Sequence, residues 1–151
     1  LLTLATGPST MTYVDTSALV ALYTGEARGE PLLSWMARRP RAGYCISDWV
    51  VAEFASALGI KVQRGDIDGD QMAQAWHEFD DACDTLLKVE RVEADDFCNA
   101  AALCLQPATG LRSGDSLHLA IAARLACKSM LSYDDTLNRN AKAIGLGVIT
   151  P

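Results

Sequence analysis

Short strand-like runs that alternate with helical segments constrain this chain more than any other feature. Residues 12–14, 44–46, 86–89, 130–133 and 147–149 are β-rich runs of three or four residues. Between them lie segments with helical spacing and helix punctuation. The first spans 17–24 and is stopped by Gly25; the next spans 32–39, with Pro31 in its first turn and Pro40 after it. Ser47 caps a long helix carrying Val50, Val51, Phe54, Leu58 and Val62, which runs to Gly65. Further helices are expected over 70–83, 93–105, 114–127 and 137–144. Strands separated by helices pair in parallel through crossovers, and a parallel sheet is covered on both faces. The expected architecture is therefore a three-layer α/β/α fold. A central four- to five-stranded parallel sheet carries helices on both faces, with a helical hairpin inserted at 48–83.

A chain of 151 residues fits one domain. Residues 1–10 lack periodicity and read as a tag or extension, leaving 11–151 as the domain. Half the residues are hydrophobic, which excludes a disordered chain. The longest apolar runs, such as 18–23, are far short of the roughly 20 residues that span a bilayer. The first basic residue is Arg28, so a signal peptide is not expected either. The domain is expected in the cytoplasm, away from membranes. The five cysteines, at 45, 83, 98, 104 and 127, form no C-x-x-C and are expected reduced and mostly buried.

The net charge of −6 argues against a nucleic-acid partner until its distribution is considered. Residues 66–96 hold eleven of the nineteen acids but two of the thirteen bases, leaving eight acids against eleven bases elsewhere. With four of those eight in one pocket, the body outside 66–96 would be strongly basic. Such an asymmetric field attracts an anionic polymer to one side. Arg38, Arg39 and Arg41 are the densest basic cluster; with Lys61, Arg64, Arg112, Arg139 and Lys142 they could track a phosphate backbone. Ordinary solvated arginines at a helix end would look the same.

In open parallel sheets, ligands bind beyond the carboxyl ends of the strands. Asp15 and Asp134 end two strands, and Glu53 and Asp115 fall early in helices that start near the same edge. Glu53 stands among Val50, Val51, Ala52, Phe54 and Ala55, where a carboxylate needs a partner or a cation unless it turns to solvent. Asp115 alone could be a first-turn acid favouring its helix dipole. The four in one place would be a site for a hard cation, which prefers oxygen ligands.

Tyr-Val-Asp15-Thr-Ser-Ala-Leu, Ser-Asp-Trp-Val-Val-Ala-Glu53-Phe, Leu-Arg-Ser-Gly-Asp115-Ser-Leu-His-Leu-Ala and Leu-Ser-Tyr-Asp134, in this order, resemble the PIN domain, and within it the VapC-type toxins of bacterial toxin–antitoxin pairs. The likeness extends over about residues 11–150. It implies an endoribonuclease dependent on Mg²⁺ or Mn²⁺, with Asp15, Glu53, Asp115 and Asp134 as the catalytic, metal-holding acids. It also implies an RNA substrate, a cognate antitoxin and a homodimer. Thr16, Ser17 and Ser132 would then support the acids, although they serve equally well as caps, and Arg38, Arg39 and Arg112 would meet RNA. Asp134 is favoured over Asp135 as the fourth acid, with Asp135 as a cap for the next helix.

Phosphodiester hydrolysis develops negative charge on the attacking water and the leaving oxygen, which divalent ions stabilise while lowering the pKa of bound water. A PIN-like module that binds RNA or a protein without cutting is the competing reading. A haloacid-dehalogenase-like phosphatase would want an acid where Ser17 stands, and a receiver domain a lysine after Gly145; neither is present. Asp66-Ile-Asp68-Gly-Asp70 imitates the start of a calcium loop, but Gln71 and His77 occupy the positions that require Gly and Glu. His118 reads as a packing histidine more than a partner of the acids. Trp35, Trp49 and Trp76 read as packing residues, and Leu22, Tyr23, Leu32, Leu33, Trp35 and Met36 as a binding patch where exposed.

Overall fold

The computed structural model describes residues 10–40 and 42–151. The expected extension, apart from Thr10, and Arg41 of the basic cluster lie outside the described residues. Five strands alternate with helices: β1 (Met11–Val14), α1 (Thr16–Tyr23), α2 (Gly29–Ala37), β2 (Gly43–Ser47), α3 (Asp48–Arg64), α4 (Gly69–Thr85), β3 (Leu87–Glu90), α5 (Ala94–Cys104), α6 (Ser113–Arg124), β4 (Ser129–Leu131), α7 (Asp135–Ala143) and β5 (Gly147–Ile149). A single 3₁₀ turn, Pro107–Thr109, precedes α6.

The sheet is parallel throughout, in the order β3-β2-β1-β4-β5. The chain starts in the centre, moves outward through β2 and β3, then crosses back to β4 and β5. Helices follow that reversal: α1, α2, α3 and α4 pack with one another, and α6 packs with α5 and α7. The order therefore switches between β1 and β4, which opens a crevice beyond their carboxyl ends.

Local chemistry sets these elements. Ser47 accepts from the Val50 N–H at the start of α3, and Gly65, with φ +76°, takes the left-handed conformation that ends it. Asp68 and Gln71 form a capping box on α4. The α1, α3 and α4 layer closes on Phe54, whose ring lies 4.5 Å from Phe79 and 6.0 Å from Tyr23. Truncating Phe54 to Ala would cost about 3–5 kcal/mol, since it is fully buried. Helix α6 is buried without interruption from Ser116 to Ala122, so His118 has no solvent-facing side.

Three expectations are corrected. Strand β4 ends at Leu131, where its pairing with Ile149 stops, so Ser132 and Tyr133 belong to the loop. Asp134, not Asp135, caps α7: its side chain accepts from the Leu137 N–H, and Asp135 is the first helical residue. All five cysteines are free, but only Cys45 and Cys127 are buried. Cys98 lies on the outward side of α5; Cys104, one turn beyond Ala100 at the end of that helix, is exposed although its Sγ lies 2.8 Å from Ser116 Oγ of α6. Among the described residues no helix is long and apolar enough to cross a membrane.

Candidate active site

Asp15 follows the last residue of β1, and its N–H is bonded to the Leu131 carbonyl of β4, so its side chain stands at the switch in strand order. It caps α1 and is nearly fully buried. One of its oxygens, Oδ2, accepts from Ser17 Oγ (2.6 Å), Ser132 Oγ (2.9 Å) and the Ser17 N–H (3.3 Å). The same two serines accept from the Tyr133 and Asp134 N–H groups, which ties the loop after β4 to Asp15.

Glu53 comes from α3. Trp49, Ala52, Glu53, Ser56 and Ile60 share one stripe of that helix and line a cleft of about 530 Å³, together with Asp15, Asp115, His118 and Asp134. The Glu53 Oε2 accepts from Thr16 Oγ1 (2.6 Å) and lies 2.7 Å from His118 Nε2. The Trp49 indole N–H lies beside the same carboxylate without hydrogen-bond geometry. Gly114 allows this approach: a Cβ there would stand 3.0 Å from Glu53 Oε1.

Asp115 lies in the first turn of α6 and Asp134 at the cap of α7, where its Oδ1 accepts from Leu137 N at 2.7 Å. Both also line a second cavity of about 750 Å³ beside the first, which adds Arg112, Ser113 and Thr136. The structure thus brings the four acids named from the sequence to one place, with Thr16, Ser17 and Ser132 against them and Arg112 on the rim. Arg38 and Arg39 are not brought there. They end α2, just before Gly43 begins β2, at the amino edge of the sheet. They bond back to Ser34 and the Trp35 carbonyl of their own helix.

The electrostatics are those of a negative pocket whose facing base, among the described residues, is His118 and not a Lys or Arg. Burial, then the charges of Asp134 and Asp15, pushes the Asp115 carboxyl above its usual range. Burial also pushes Glu53 up, but the hydrogen bonds from His118 and Thr16 outweigh it and hold the carboxyl below that range. Burial disfavours a charged His118, yet Glu53 and Asp15 outweigh it and raise its pKa. Among the described residues, no Lys or Arg pairs with any of the four acids. Asp15, Glu53 and His118 each offer one atom to a grouping whose members lie within 4.8 Å of one another, a set able to hold a cation. Asp115 and Asp134 line the cleft outside that grouping.

His118 was undervalued in the sequence. It is buried, and its ring touches Glu53, Asp15 (3.3 Å) and Tyr13. Its spacing three residues after Asp115, on the same helix face, was the available signal. Trp49, also read as packing, borders both cavities.

The PIN domain family model matches residues 12–143. Ribonuclease VapC35 of Mycobacterium tuberculosis is 26% identical over 145 residues, covering 93% of this chain and 97% of that protein. Among solved structures, Mycobacterium tuberculosis VapC20, a toxin that cleaves the sarcin-ricin loop, superposes with a TM-score of 0.71 at 20% identity, covering 93% of this chain and 99% of that one. VapBC2 from Rickettsia felis, solved with a DNA fragment from its promoter, gives a TM-score of 0.63 at 15% identity, covering 92% and 97%.

Proposed function

The chain belongs to the PIN domain family, and on that premise we propose that it is a divalent-metal-dependent endoribonuclease, the toxin of a toxin–antitoxin pair. The observation that carries this reading is the half-satisfied state of the buried acids. Asp15 spends Oδ2 on two serines and Glu53 spends Oε2 on Thr16 and His118, while among the described residues no Lys or Arg pairs with the pocket's acids. Oxygen-rich, negatively charged and without cysteine, this donor set suits Mg²⁺ or Mn²⁺, with Asp15, Glu53, Asp115 and Asp134 as the residues that would hold it. When bound, such an ion supplies charge stabilisation and a water of lowered pKa.

The chain's own residues prepare that pocket. Ser17 and Ser132 fix the Asp15 carboxylate, and Ser132 also holds the backbone at Asp134, so two acids just beyond neighbouring strands keep one separation. Thr16 and His118 fix Glu53. Arg112, on the cavity that continues from the acids, is the arginine positioned to meet a phosphate of the RNA. The related ribonuclease named above supports the activity, and solved toxin–antitoxin assemblies with this fold support the pairing.

Two surfaces suit the partners. Leu22, Tyr23, Leu33, Met36, Tyr44 and Leu86 line an apolar groove of about 470 Å³ between the first helices and α4, the place for an antitoxin segment. Leu32, expected in that patch, is instead core. On α5, Phe97 and Cys98 share an exposed face, continued by Leu105, which suits a second copy of the chain. With no long apolar helix among the described residues, a cytoplasmic setting fits both partners.

The test is cleavage of total cellular RNA by the purified, antitoxin-free protein with Mg²⁺ or Mn²⁺, with EDTA, and with Asp115→Asn. Discrete products that require both metal and Asp115 are expected. A folded protein that binds RNA without cutting it in any of these conditions would leave a binding module.

A further inference from the structure

We propose that His118 is not a ligand of the cation but the residue that aims Glu53 at it: a protonated Nε2, fixed by the Tyr13 hydroxyl behind the ring, holds one oxygen of Glu53 and leaves the other for the metal. This inference rests on the functional reading above only in taking the acidic cleft as the cation site.

Of the three groups close enough to share an ion, two are carboxylates and the third is this imidazole. Its Nε2 lies 2.7 Å from Glu53 Oε2, too close for two lone pairs to face each other, so a proton lies between them. Glu53 Oε2 also accepts from Thr16 Oγ1 at 2.6 Å, so this oxygen faces two donors and the proton lies on nitrogen. A nitrogen that carries a proton has no lone pair to give a metal.

The far side of the ring accounts for the tautomer. Nδ1 lies 3.0 Å from Tyr13 Oη, which lies 2.9 Å from Ser47 Oγ, which in turn accepts from the Val50 N–H at 3.4 Å. With a neutral ring protonated at Nε2, these bonds run in one direction. Val50 N–H donates to Ser47, Ser47 O–H to Tyr13, Tyr13 O–H to Nδ1, and Nε2–H to Glu53. The chain starts at the cap of α3 and ends on a residue of α3, passing through β1 and α6 on the way. It therefore locks the helix that carries Glu53 to the strand that leads into Asp15. His118 cannot swing away, because α6 is buried around it.

Mn²⁺ binding tests this without reference to cleavage. Affinity is read from the free Mn²⁺ signal in electron paramagnetic resonance, and pulsed spectra report any nitrogen bound to the ion. The wild type should show no directly coordinated imidazole nitrogen. His118→Gln, whose amide can donate near the Nε2 position, should keep the affinity within a few-fold. His118→Ala should weaken it by about tenfold or more, the cost of losing a residue that orients a ligand. Tyr13→Phe keeps the ring packed but frees Nδ1, and should weaken Mn²⁺ by a smaller factor. Should the alanine variant fail to fold, as judged by its circular dichroism melt, the glutamine and phenylalanine variants and the wild-type spectrum carry the test.

A nitrogen coordinated to Mn²⁺ overturns the proposal, as does an alanine variant that binds like the wild type, or a glutamine variant that loses as much as the alanine. A protein that binds Mn²⁺ in the expected pattern yet cuts no RNA refutes the ribonuclease reading and leaves the role of His118 standing. No Mn²⁺ binding to the wild type overturns both.

Discussion

Asp68 and Asp15 both cap a helix, one in each acidic region of the molecule. Asp68 opens α4 in the segment that holds eleven acids; its Oδ1 accepts from Gln71 N at 2.8 Å, and the residue is exposed. Asp15 opens α1 with a similar cap, but it is 5% exposed and shares its cleft with Glu53, Asp115 and Asp134. Water screens the acids around Asp68, so their number has little local consequence. At Asp15 the low dielectric turns four acids into a standing demand for positive charge. The acidic segment also contains one fully buried acid, Asp96, and its demand is already met: Arg124 grips it through Nε and an Nη at 2.8 and 2.9 Å. Density of acids along a chain is therefore a poor guide to a site. A buried acid without a basic partner is a better one.

This contrast can be broken first at Asp15. Asp15→Asn should reduce RNA cleavage by more than about a hundredfold, beyond what loss of an orienting partner alone costs. Replacing Asp66, Asp68 and Asp70 together by Asn should leave the rate unchanged. Equal losses in the two variants would mean the segment is part of the site.

Arg124→Ala comes next. It leaves Asp96 buried and unpaired, and should lower stability by about 3 kcal/mol in a denaturant melt. Cleavage at a temperature where the variant stays folded should not change. Arg124 also holds the Arg91 carbonyl, so Asp96→Asn should be milder than Arg124→Ala; the reverse order would contradict the pairing.

A third, smaller effect has the opposite sign. The Asp115 carboxyl is raised above its ordinary value in the fold, so between the two values the folded protein binds more protons than the unfolded chain. Stability of the metal-free protein therefore falls as pH rises through that window. Asp115→Asn should melt a few degrees higher than the wild type at neutral pH without metal, with the advantage vanishing in acid below the ordinary carboxyl value. A lower melting temperature at neutral pH would mean that Asp115 is compensated within the protein.

The smallest effect concerns RNA binding. Arg112→Ala should reduce the salt dependence by about one phosphate contact, while Arg38→Ala and Arg39→Ala should leave it unchanged. A flatter slope in the latter pair would extend the RNA path to the amino edge of the sheet.

Strand and helix order was legible because each strand-to-helix junction carries its own signal, such as Asp15 before Thr16 or Ser47 before Asp48, and the exits of α1, α3 and α7 carry a glycine. The acids could be singled out for the same reason: a carboxylate at a strand end or inside an apolar helical run is conspicuous locally. His118 was not legible in this way. Its partners Glu53 and Tyr13 are 65 and 105 residues away in sequence, and its local signal, the spacing from Asp115, does not reveal them. Cys98 failed for a related reason, since which side of α5 faces the core depends on where α6 lies. The stop of β4 at Leu131 coincides with the ends of both its neighbours, at Val14 of β1 and Ile149 of β5, and not with a break in the residues at 132 and 133.

The most direct measurement is a crystal structure of the protein soaked with Mn²⁺, read from the anomalous difference map. The account predicts a peak in the cleft bounded by Asp15, Glu53 and Asp115, with His118 against Glu53 and not against the ion. A cleft without a peak at saturating Mn²⁺, or a peak confined to the exposed acids at Asp66–Asp70, would contradict it.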